Sequence, residues 1–574
     1  MTYSDRKTTA LSAEAGQVAR GSVINIAAMT VGAVLGFGLT VLVSRWLQPR
    51  AAGELFELIA LFTILSYSLQ LGADTGLTRW ISRARAIGGL AEVRRIVLIA
   101  AVPVLTIGAA TVGAVWLAAP ALARILLHSM NQTRATADFR LIAIFVPIGA
   151  LSACLVAAAR GFGRMWPYLG VEGVGKPVLR IGLVAVAILA GWGLRGTVLG
   201  WSIPVAIGLV VGWFILAGLI KKEAPAAVPA LTSAGRGALA AEFWRFAAPR
   251  GFAGVFQVIV LWLDILLVGA LLSSYDAGVY AAVSRLALIG TFALEGTRLA
   301  IAPQLATLLA RRQPSRAGDL YQSATRLLVL ASWPVYLLFA IFPTVVLGIF
   351  GARYTAGSAA LVIIALAMLV NTGTGNVTVV MLMGGKSSWN VVNTLIALCV
   401  NIGLNFILLP RIGIAGAAIA WAASIIVDNL AALLEVWVLF GIAPLGRGYG
   451  LVMALASSCF GLIGLGVRVA FGQSVIAAAL AMAIGLAVYA PAVYLSRRRL
   501  YLDGLYAALR PGRAPVTSRQ PGRHRASARD HDRDSGGRRA ADHTGPRGPV
   551  AMQQGAQGIR RPLPPAVRPA RRST

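Results

Sequence analysis

The stretch at residues 401–420 reads NIGLNFILLPRIGIAGAAIA and joins the end of one long apolar run to the start of another. The two runs cover residues 388–409 and 413–440. Each run reaches the roughly 20 residues that a helix needs to cross a bilayer. A Pro, an Arg and a Gly separate them within a few positions, which predicts a tight turn between two membrane helices.

Runs of the same kind occur along most of the chain, so we predict about fourteen transmembrane helices in an all-α integral membrane protein. Two of the runs, spans 5 and 8, contain several charges. The predicted spans cover residues 22–47, 53–73, 95–119, 139–160, 168–192, 196–220, 246–272, 278–304, 325–350, 358–384, 388–409, 413–440, 449–471 and 474–496.

The composition indicates that lipid is the main solvent of this chain. Of its 574 residues 57% are hydrophobic and only 13% are charged, whereas about a quarter of the residues in soluble domains are charged. Cys154, Cys399 and Cys459 lie singly within apolar runs. We therefore expect neither a disulfide framework nor a metal site, and no cofactor.

The formal net charge is +31, and residues 497–574, which hold eighteen Arg and five Asp, carry +13 of it. Residues 498–574 are rich in Pro, Gly and Ser, which predicts a disordered cytoplasmic tail. Its charge suits the anionic inner leaflet, and a solvated extension without a dedicated role is the alternative. Most other basic residues fall in short loops, so nucleic-acid binding is not predicted.

Similar residues recur at loop positions about 220 to 225 residues apart, which indicates two parallel six-helix repeats followed by two extra helices. Examples are WLQPRAAG at 46–53 with LSSYDAG at 272–278, and LRGTVLGW at 194–201 with IAGAAIAW at 414–421. The predicted organisation is a cytoplasmic segment at 1–21, one bundle at 22–240, a second bundle at 241–445, two additional helices at 446–497 and the tail at 498–574.

The distribution of Lys and Arg predicts which ends of the helices face the cytoplasm. With the N-terminus inside, most basic loop residues are inside, and an even number of spans returns the C-terminus to the same side. We expect a multi-pass protein of the plasma membrane with both termini cytoplasmic. The longest loop between spans runs over about 221–245, which is too short for a soluble catalytic domain, so no enzymatic activity is expected.

Three stretches resemble a known family. They are Leu47-Gln48-Pro49 followed by Gly53 and Phe56, LGADTGLTRWI at 71–81, and the opening stretch at 401–420. Together they resemble bacterial polysaccharide biosynthesis proteins of the O-antigen flippase type, in the multidrug/oligosaccharidyl-lipid/polysaccharide exporter superfamily. The likeness covers about residues 20–496, and Gln48 departs from the Gly that is usual in the family.

The resemblance implies a transporter that moves polyprenyl-pyrophosphate-linked sugars between leaflets. Two bundles would form a V around a cationic cavity, which would receive the sugar and the pyrophosphate while the polyprenyl chain stays in lipid.

Ionisable residues inside spans are the best functional candidates, because a charge at mid-membrane costs roughly 2.5–3.5 kcal/mol even on a lenient scale. Glu172, Lys176 and Arg180 in span 5 are four residues apart and share one helix face. If this face lines the cavity, Lys176 and Arg180 would bind a pyrophosphate and Glu172 would temper their charge. The alternative is an interfacial stripe of snorkelling side chains.

Other charged candidates lie in spans 7 and 8 or just beyond the inner end of span 2. Glu295 and Arg298 would form either part of the cavity or a neutralised structural pair. Glu172 and Glu295 are also candidates for ion coupling or charge pairing. Asp264, in the middle of span 7, is a candidate for binding a coupling cation or for pairing with an Arg of the facing bundle. Arg79 and Arg250, near inner helix ends, would contact an anionic headgroup or only determine topology.

Several uncharged and weaker candidates complete the set. Asn401 and Asn405 share a face of span 11 and would bind sugar hydroxyls or link helices by hydrogen bonds. Glu57, Asp428 and Glu435 are further acids within predicted spans.

One motif is rejected as a nucleotide site. Residues 170–176, GVEGVGK, match the first seven positions of a phosphate-binding loop, but Pro177 stands where Ser or Thr would hold magnesium. Gly and Pro at these positions are predicted to bend or closely pack a membrane helix.

The leading interpretation is a flippase for a lipid-linked (polyprenyl-pyrophosphate) oligosaccharide in cell-surface polysaccharide biosynthesis. It would work by alternating access beside glycan-assembly proteins. A cation-coupled multidrug exporter of the same superfamily is one alternative, and it would need acidic pockets. An integral-membrane glycosyltransferase or polymerase is another, and it would need acidic catalytic residues in sizeable external loops.

Overall fold

A computed structural model describes residues 30–86, 92–127, 131–223, 233–443 and 445–500. The predicted N-terminal segment and the predicted tail beyond residue 500 lie outside these ranges. Within them all regular structure is helical. The α-helices are α1 Thr30–Trp46, α2 Pro49–Gln70, α3 Ala73–Ala86, α4 Val93–Leu122, α5 Gln132–Gly161, α6 Lys176–Leu189, α7 Gly193–Glu223, α8 Ser233–Leu271, α9 Ser274–Ala287, α10 Thr291–Ala310, α11 Pro314–Ile341, α12 Pro343–Leu347, α13 Ser358–Gly373, α14 Val377–Met383, α15 Ser387–Ile412, α16 Ile414–Phe440, α17 Tyr449–Ala456, α18 Ile463–Phe471 and α19 Val475–Ser496.

Shorter helical segments of other pitch join some of these helices. The π-helical segments are Ala123–Leu127, Tyr168–Gly175 and Ser457–Leu462, and the 3₁₀ segments are Leu288–Gly290 and Ala352–Gly357. The segment Tyr168–Gly175 contains all but the last residue of the rejected phosphate-loop motif, so this Gly-rich stretch belongs to an irregular part of a membrane helix, as predicted.

Twelve helices of the described chain, some formed by two consecutive elements, are long and apolar enough to cross a membrane. The shorter α1 and the interrupted helix formed by Tyr168–Gly175 and α6 account for the two remaining predicted spans. Helices satisfy every backbone polar group internally, which lipid requires. The all-α, multi-pass membrane fold class is therefore confirmed, with close to the predicted number of spans.

The opening stretch forms a tight helical hairpin between α15 and α16. Gly413 alone separates the two helices, with φ 60° and ψ −145°, a conformation that a residue with a Cβ rarely adopts. A Cβ on Gly416 would lie 2.6 Å from the backbone of Leu408, so the two helices touch directly. Pro410 was predicted to lie in the turn, but it lies in the last turn of α15.

Glycines bring α2 into backbone contact with α8 and α9, and we call this contact the seam. A Cβ on Gly53 would overlap the carbonyl oxygen of Ser274 in α9, and a Cβ on Gly278 would overlap that of Pro49. At the other end of α2, a Cβ on Gly72 would overlap the carbonyl oxygen of Ala247 in α8. The seam therefore joins the two predicted bundles with no side chains between the backbones at these points.

The seam also brings together two of the stretches that repeat in the sequence, 46–53 and 272–278. Gly53 and Gly278 come from these stretches and lie against each other across the contact. The domain boundaries at residues 240 and 445 stay a prediction.

Candidate functional site

A cavity of about 450 Å³ lies between helices of the two predicted bundles. Its wall comes from α1, α2, α6 and α7 on one side and from α8, α9 and α10 on the other. Aromatic and aliphatic side chains form most of the wall, and its charged residues are Arg180 and Arg285. No carboxylate of the described chain belongs to this lining. The cavity is thus an apolar chamber with two cations.

Arg180 reaches the cavity from α6. Its guanidinium carbon lies 4.1 Å from the centroid of the Trp201 ring, and its Nε donates a hydrogen bond of 3.3 Å to the Trp201 carbonyl oxygen. Trp201 packs edge-on against Phe62 of α2, with ring centroids 4.9 Å apart. A cation–π contact orients a guanidinium but leaves its charge in place.

Arg285 reaches the cavity from α9 and has a similar partner. Its guanidinium carbon lies 4.2 Å from the centroid of the Trp262 ring on α8. Within the described ranges, neither Arg180 nor Arg285 forms an ion pair with a carboxylate. Each bundle therefore contributes one arginine that rests on a tryptophan and keeps its positive charge.

Arg285 is the residue that sequence analysis missed. It lies inside predicted span 8, between Ser284 and Leu286. The rule that singled out Arg180, a charge within a membrane span, would have found it equally well.

Lys176 lines a smaller cavity of about 170 Å³ that shares Phe62, Thr63 and Arg180 with the central one. Its Nζ lies 2.5 Å from Oε1 of Glu172 and donates a hydrogen bond of 3.0 Å to Oγ of Ser152. The Lys176 side chain is only 7% exposed. The three charged residues predicted in span 5 thus all line the smaller cavity. Because Glu172 neutralises Lys176, Arg180 is the residue of this stripe whose charge is not compensated by an ion pair.

Asp264 lies at the centre of a buried polar cluster within the second bundle. Its Oδ2 accepts hydrogen bonds from the Tyr280 hydroxyl at 2.9 Å and from Asn401 Nδ2 at 3.4 Å, and its Oδ1 accepts one from Asn405 Nδ2 at 2.9 Å. Asp264 is 2% exposed, and both asparagines are 0% exposed. The predicted pairing of Asp264 with a facing Arg does not occur in the described structure.

The same contacts bear on the predicted sugar contacts. Asn401 and Asn405 are directed at Asp264, not at the central cavity, and they connect α15 to α8. Their placement favours the alternative in which these amides link helices.

Replacing Asp264 with Ala is expected to destabilise the protein by about 3 kcal/mol or more. Three buried donors would lose their acceptor, and each unsatisfied group costs roughly 1–3 kcal/mol. Thermal unfolding of the purified protein in detergent would measure the change. Asp276→Ala is the matched control because Asp276 is only partly buried and lies in the first turn of α9. Equal stability of the two variants would contradict a structural role of the cluster.

The remaining predicted cations lie outside the lining of the central cavity. Arg298 pairs with Glu295 at 3.0 Å on α10, with side-chain exposures of 51% and 34%. Arg79 and Arg250 are exposed, and both lie over the ring of Phe246, at 3.9 Å and 4.5 Å from its centroid. These three arginines lie on exposed faces of α3, α8 and α10, and their part in substrate binding stays a prediction.

Of the weaker candidates, Glu435 accepts a hydrogen bond of 2.8 Å from Asn393, which links α16 to α15. Asp428 is also on α16. Glu57 is completely buried at the seam. None of the three lines the central cavity within the described chain.

Solved structures with similar folds are membrane transporters. The chain aligns with the lipid II flippase MurJ in an inward closed conformation at 13% identity, over 83% of this chain and 99% of that one, with a TM-score of 0.65. An inward-facing multidrug resistance MATE family transporter of the MOP superfamily aligns at 14% identity over 76% and 98%, with a TM-score of 0.57. The MATE multidrug transporter DinF-BH in complex with R6G aligns at 17% identity over 74% and 95%, with a TM-score of 0.55.

At such low sequence identity, these structural alignments show a shared fold only. No curated protein matches the sequence. A family model described as polysaccharide biosynthesis protein matches residues 18–308, slightly more than half of the 574 residues. The resemblance seen in the sequence is thereby confirmed, and the chain belongs to the polysaccharide biosynthesis protein family.

Proposed function

We propose that this protein flips a lipid-linked (polyprenyl-pyrophosphate) oligosaccharide across the plasma membrane by alternating access, for cell-surface polysaccharide biosynthesis. The observation that carries the proposal is the central cavity with Arg180, Arg285 and no lining carboxylate in the described chain. Family membership supports the polysaccharide context.

The chemistry of the cavity matches the head of such a lipid. Guanidinium groups offer planar, paired N–H donors to phosphate oxygens, and they stay charged in an apolar site. Arg180 and Arg285 enter from opposite bundles, so the proposed site would hold the pyrophosphate between the two bundles. The affinity of such a site for the pyrophosphate would depend on how far apart the two bundles are.

A cation-coupled multidrug exporter is the main alternative, and the cavity argues against it. A site for cationic drugs needs negative charge, whereas this lining carries only positive charge in the described structure. The acids Glu172, Glu295 and Asp264 are each engaged by a neighbouring side chain. A coupling-ion role for these three acids stays a prediction.

The orientation and the site of action are also part of the proposal. With both termini cytoplasmic, the substrate would load from the inner leaflet, where glycan-assembly proteins make it. The lipid-linked glycan and membrane lipids are the proposed partners, and the tail would contact the anionic inner leaflet.

Reconstitution in liposomes tests the proposal. The purified protein is expected to make an inner-leaflet fluorescent polyprenyl-pyrophosphate oligosaccharide accessible to a membrane-impermeant reagent outside. Arg180→Gln is expected to lower the initial rate about tenfold, because a hydrogen bond to a charged group contributes roughly 1.5–3 kcal/mol.

Arg411→Gln is the matched control, since Arg411 is exposed at the end of α15 and outside the cavity. Its rate should equal that of the unaltered protein. Transport of a cationic dye without movement of the glycolipid would favour the exporter, and sugar transfer by the purified protein would identify a glycosyltransferase.

A further inference from the structure

The seam between the two predicted bundles contains a carboxyl group that the central cavity does not use. Glu57 lies on α2, one turn beyond Gly53, and is 0% exposed. A Cβ added to Gly269 of α8 would lie 2.5 Å from Oε1 of Glu57, so the carboxyl group packs directly on that helix. Glu57 is therefore enclosed by the very helices that form the seam.

The carboxyl group of Glu57 lacks a hydrogen-bond donor of its own. Neither Oε1 nor Oε2 has a hydrogen-bond partner among the described residues. Ser274 of α9 lies beside Glu57, close enough to interact with a Glu57 carboxylate, and its hydroxyl donates a hydrogen bond of 2.8 Å to the carbonyl oxygen of Leu127. Because a hydroxyl has a single proton, Ser274 can donate to only one of these two acceptors at a time. Glu57 therefore shares its nearest donor with a backbone carbonyl group.

The charged groups on the surrounding helices supply no ion pair to Glu57 within the described ranges. Glu54, the nearest acid on α2, is 3.9 Å from Arg50 and adds negative charge to the region. The other packed elements carry charges of both signs, among them Asp138 and Arg134 on α5, Arg124 in the π-helical segment, Arg195 on α7, Asp264 on α8, and Asp276 and Arg285 on α9. Since none of these cations pairs with Glu57 within the described ranges, an ionised Glu57 would be buried without a counter-charge in contact.

We propose that Glu57 is a proton-binding site, protonated while the seam is closed and deprotonated when α2 separates from α8 and α9. A buried carboxylate without a partner is so costly that the group takes up a proton instead. When the seam opens, the O–H bond of Glu57 breaks and the entering water accepts the proton, which leaves a carboxylate and a hydronium ion. Closing the seam requires the carboxyl group to bind a proton again.

This site would link a proton to the movement of the two bundles. The link rests on the proposed transport function, because alternating access is what opens and closes the seam. The protonation of Glu57 in the closed state does not depend on that function, so the two can be tested separately.

Infrared spectroscopy tests the protonated state without any substrate. The purified protein near neutral pH is expected to show the carbonyl-stretch band of a protonated carboxylic acid, shifted in D₂O. Glu57→Gln should remove the part of that band that Glu57 contributes and keep the fold, because the amide is a neutral group of the same shape. Glu54→Gln, one turn away on the same helix, should leave the band unchanged.

A second variant keeps the test valid if Glu57→Gln does not fold. Glu57→Met is also neutral and of similar length, so a site that needs no charge should accept it. A band of unchanged intensity in Glu57→Gln would overturn the proposal, since the band would then come entirely from other acids. Failure of both variants to fold would also overturn it, since the closed seam would then need a charged carboxylate.

The pH dependence of flipping tests the link to transport. The unaltered protein and Glu54→Gln are expected to share one pH profile, and Glu57→Gln should lose its dependence on pH. An unchanged profile in Glu57→Gln would refute the link. Absence of flipping in every sample, with the infrared band present, would refute the proposed function and leave the proton site standing.

Discussion

Reversing both cavity arginines, Arg180→Glu together with Arg285→Glu, is expected to slow flipping of a lipid-linked oligosaccharide by at least about 1,000-fold. Breaking one buried charge pair costs about 2–5 kcal/mol, and each 1.4 kcal/mol is a factor of ten. Two carboxylates in an apolar chamber would also repel the pyrophosphate. Initial rates in liposomes would measure the loss.

The control for charge alone is Arg316→Glu with Arg411→Glu. Both arginines are exposed and outside the cavity, so this variant changes the net charge equally and should flip at the normal rate. Arg180→Lys with Arg285→Lys should recover part of the activity, because the positive charge remains while the paired N–H geometry is lost. Normal flipping by the double Glu variant would show that the cavity does not bind the substrate head.

Replacing Gly53 with Val is expected to destabilise the protein by about 3 kcal/mol or more. A Cβ on Gly53 would overlap the backbone of Ser274, and a helix backbone cannot move aside as a side chain can. Overpacking a core commonly costs about 1–3 kcal/mol, and backbone overlap belongs at the upper end of this range or beyond it. Thermal unfolding in detergent, followed by size-exclusion chromatography, would measure the effect.

Gly403→Val is the matched control, because it adds the same β-branched side chain to another membrane helix. Gly403 lies in α15 and has no atom within 4 Å of its would-be Cβ. This variant should unfold within a few degrees of the unaltered protein. Equal stability of the Gly53 and Gly403 variants would mean that the seam is not closely packed.

Hydropathy was sufficient to predict the spanning helices because a helix in lipid must be both long and apolar. The hairpin at 401–420 shows the limit of this reasoning. The sequence placed its turn at Pro410, yet α15 continues to Ile412 and only Gly413 breaks it. Near the end of a helix a Pro is tolerated, so the residue that requires an unusual φ decides where the turn falls.

The candidate site was predictable where its contacts are local. Glu172 and Lys176 pair four residues apart, as their spacing indicated. Asp264 instead meets Asn401 and Asn405, which are 137 and 141 residues away. Many arrangements of helices are compatible with one sequence, so a contact between such distant residues can be identified only from the three-dimensional structure.

The close packing at the seam could not be predicted from the sequence, for a related reason. Gly53 and Gly278 were noticed as repeated residues, but a glycine in an apolar helix can serve flexibility, lipid exposure or close packing. Gly36 and Gly403 have open space around them, whereas Gly53 touches a backbone. Only the neighbouring helix distinguishes these cases.

The tryptophans beneath Arg180 and Arg285 have an electrical consequence for the proposed cycle. Since they leave both charges uncompensated, an empty carrier presents two positive charges to the membrane field, and a bound pyrophosphate cancels much of them. A transmembrane voltage contributes about 2.3 kcal/mol per elementary charge per 100 mV. The voltage would therefore act mainly on the return of the unloaded carrier, and that return would be the electrogenic half of the cycle.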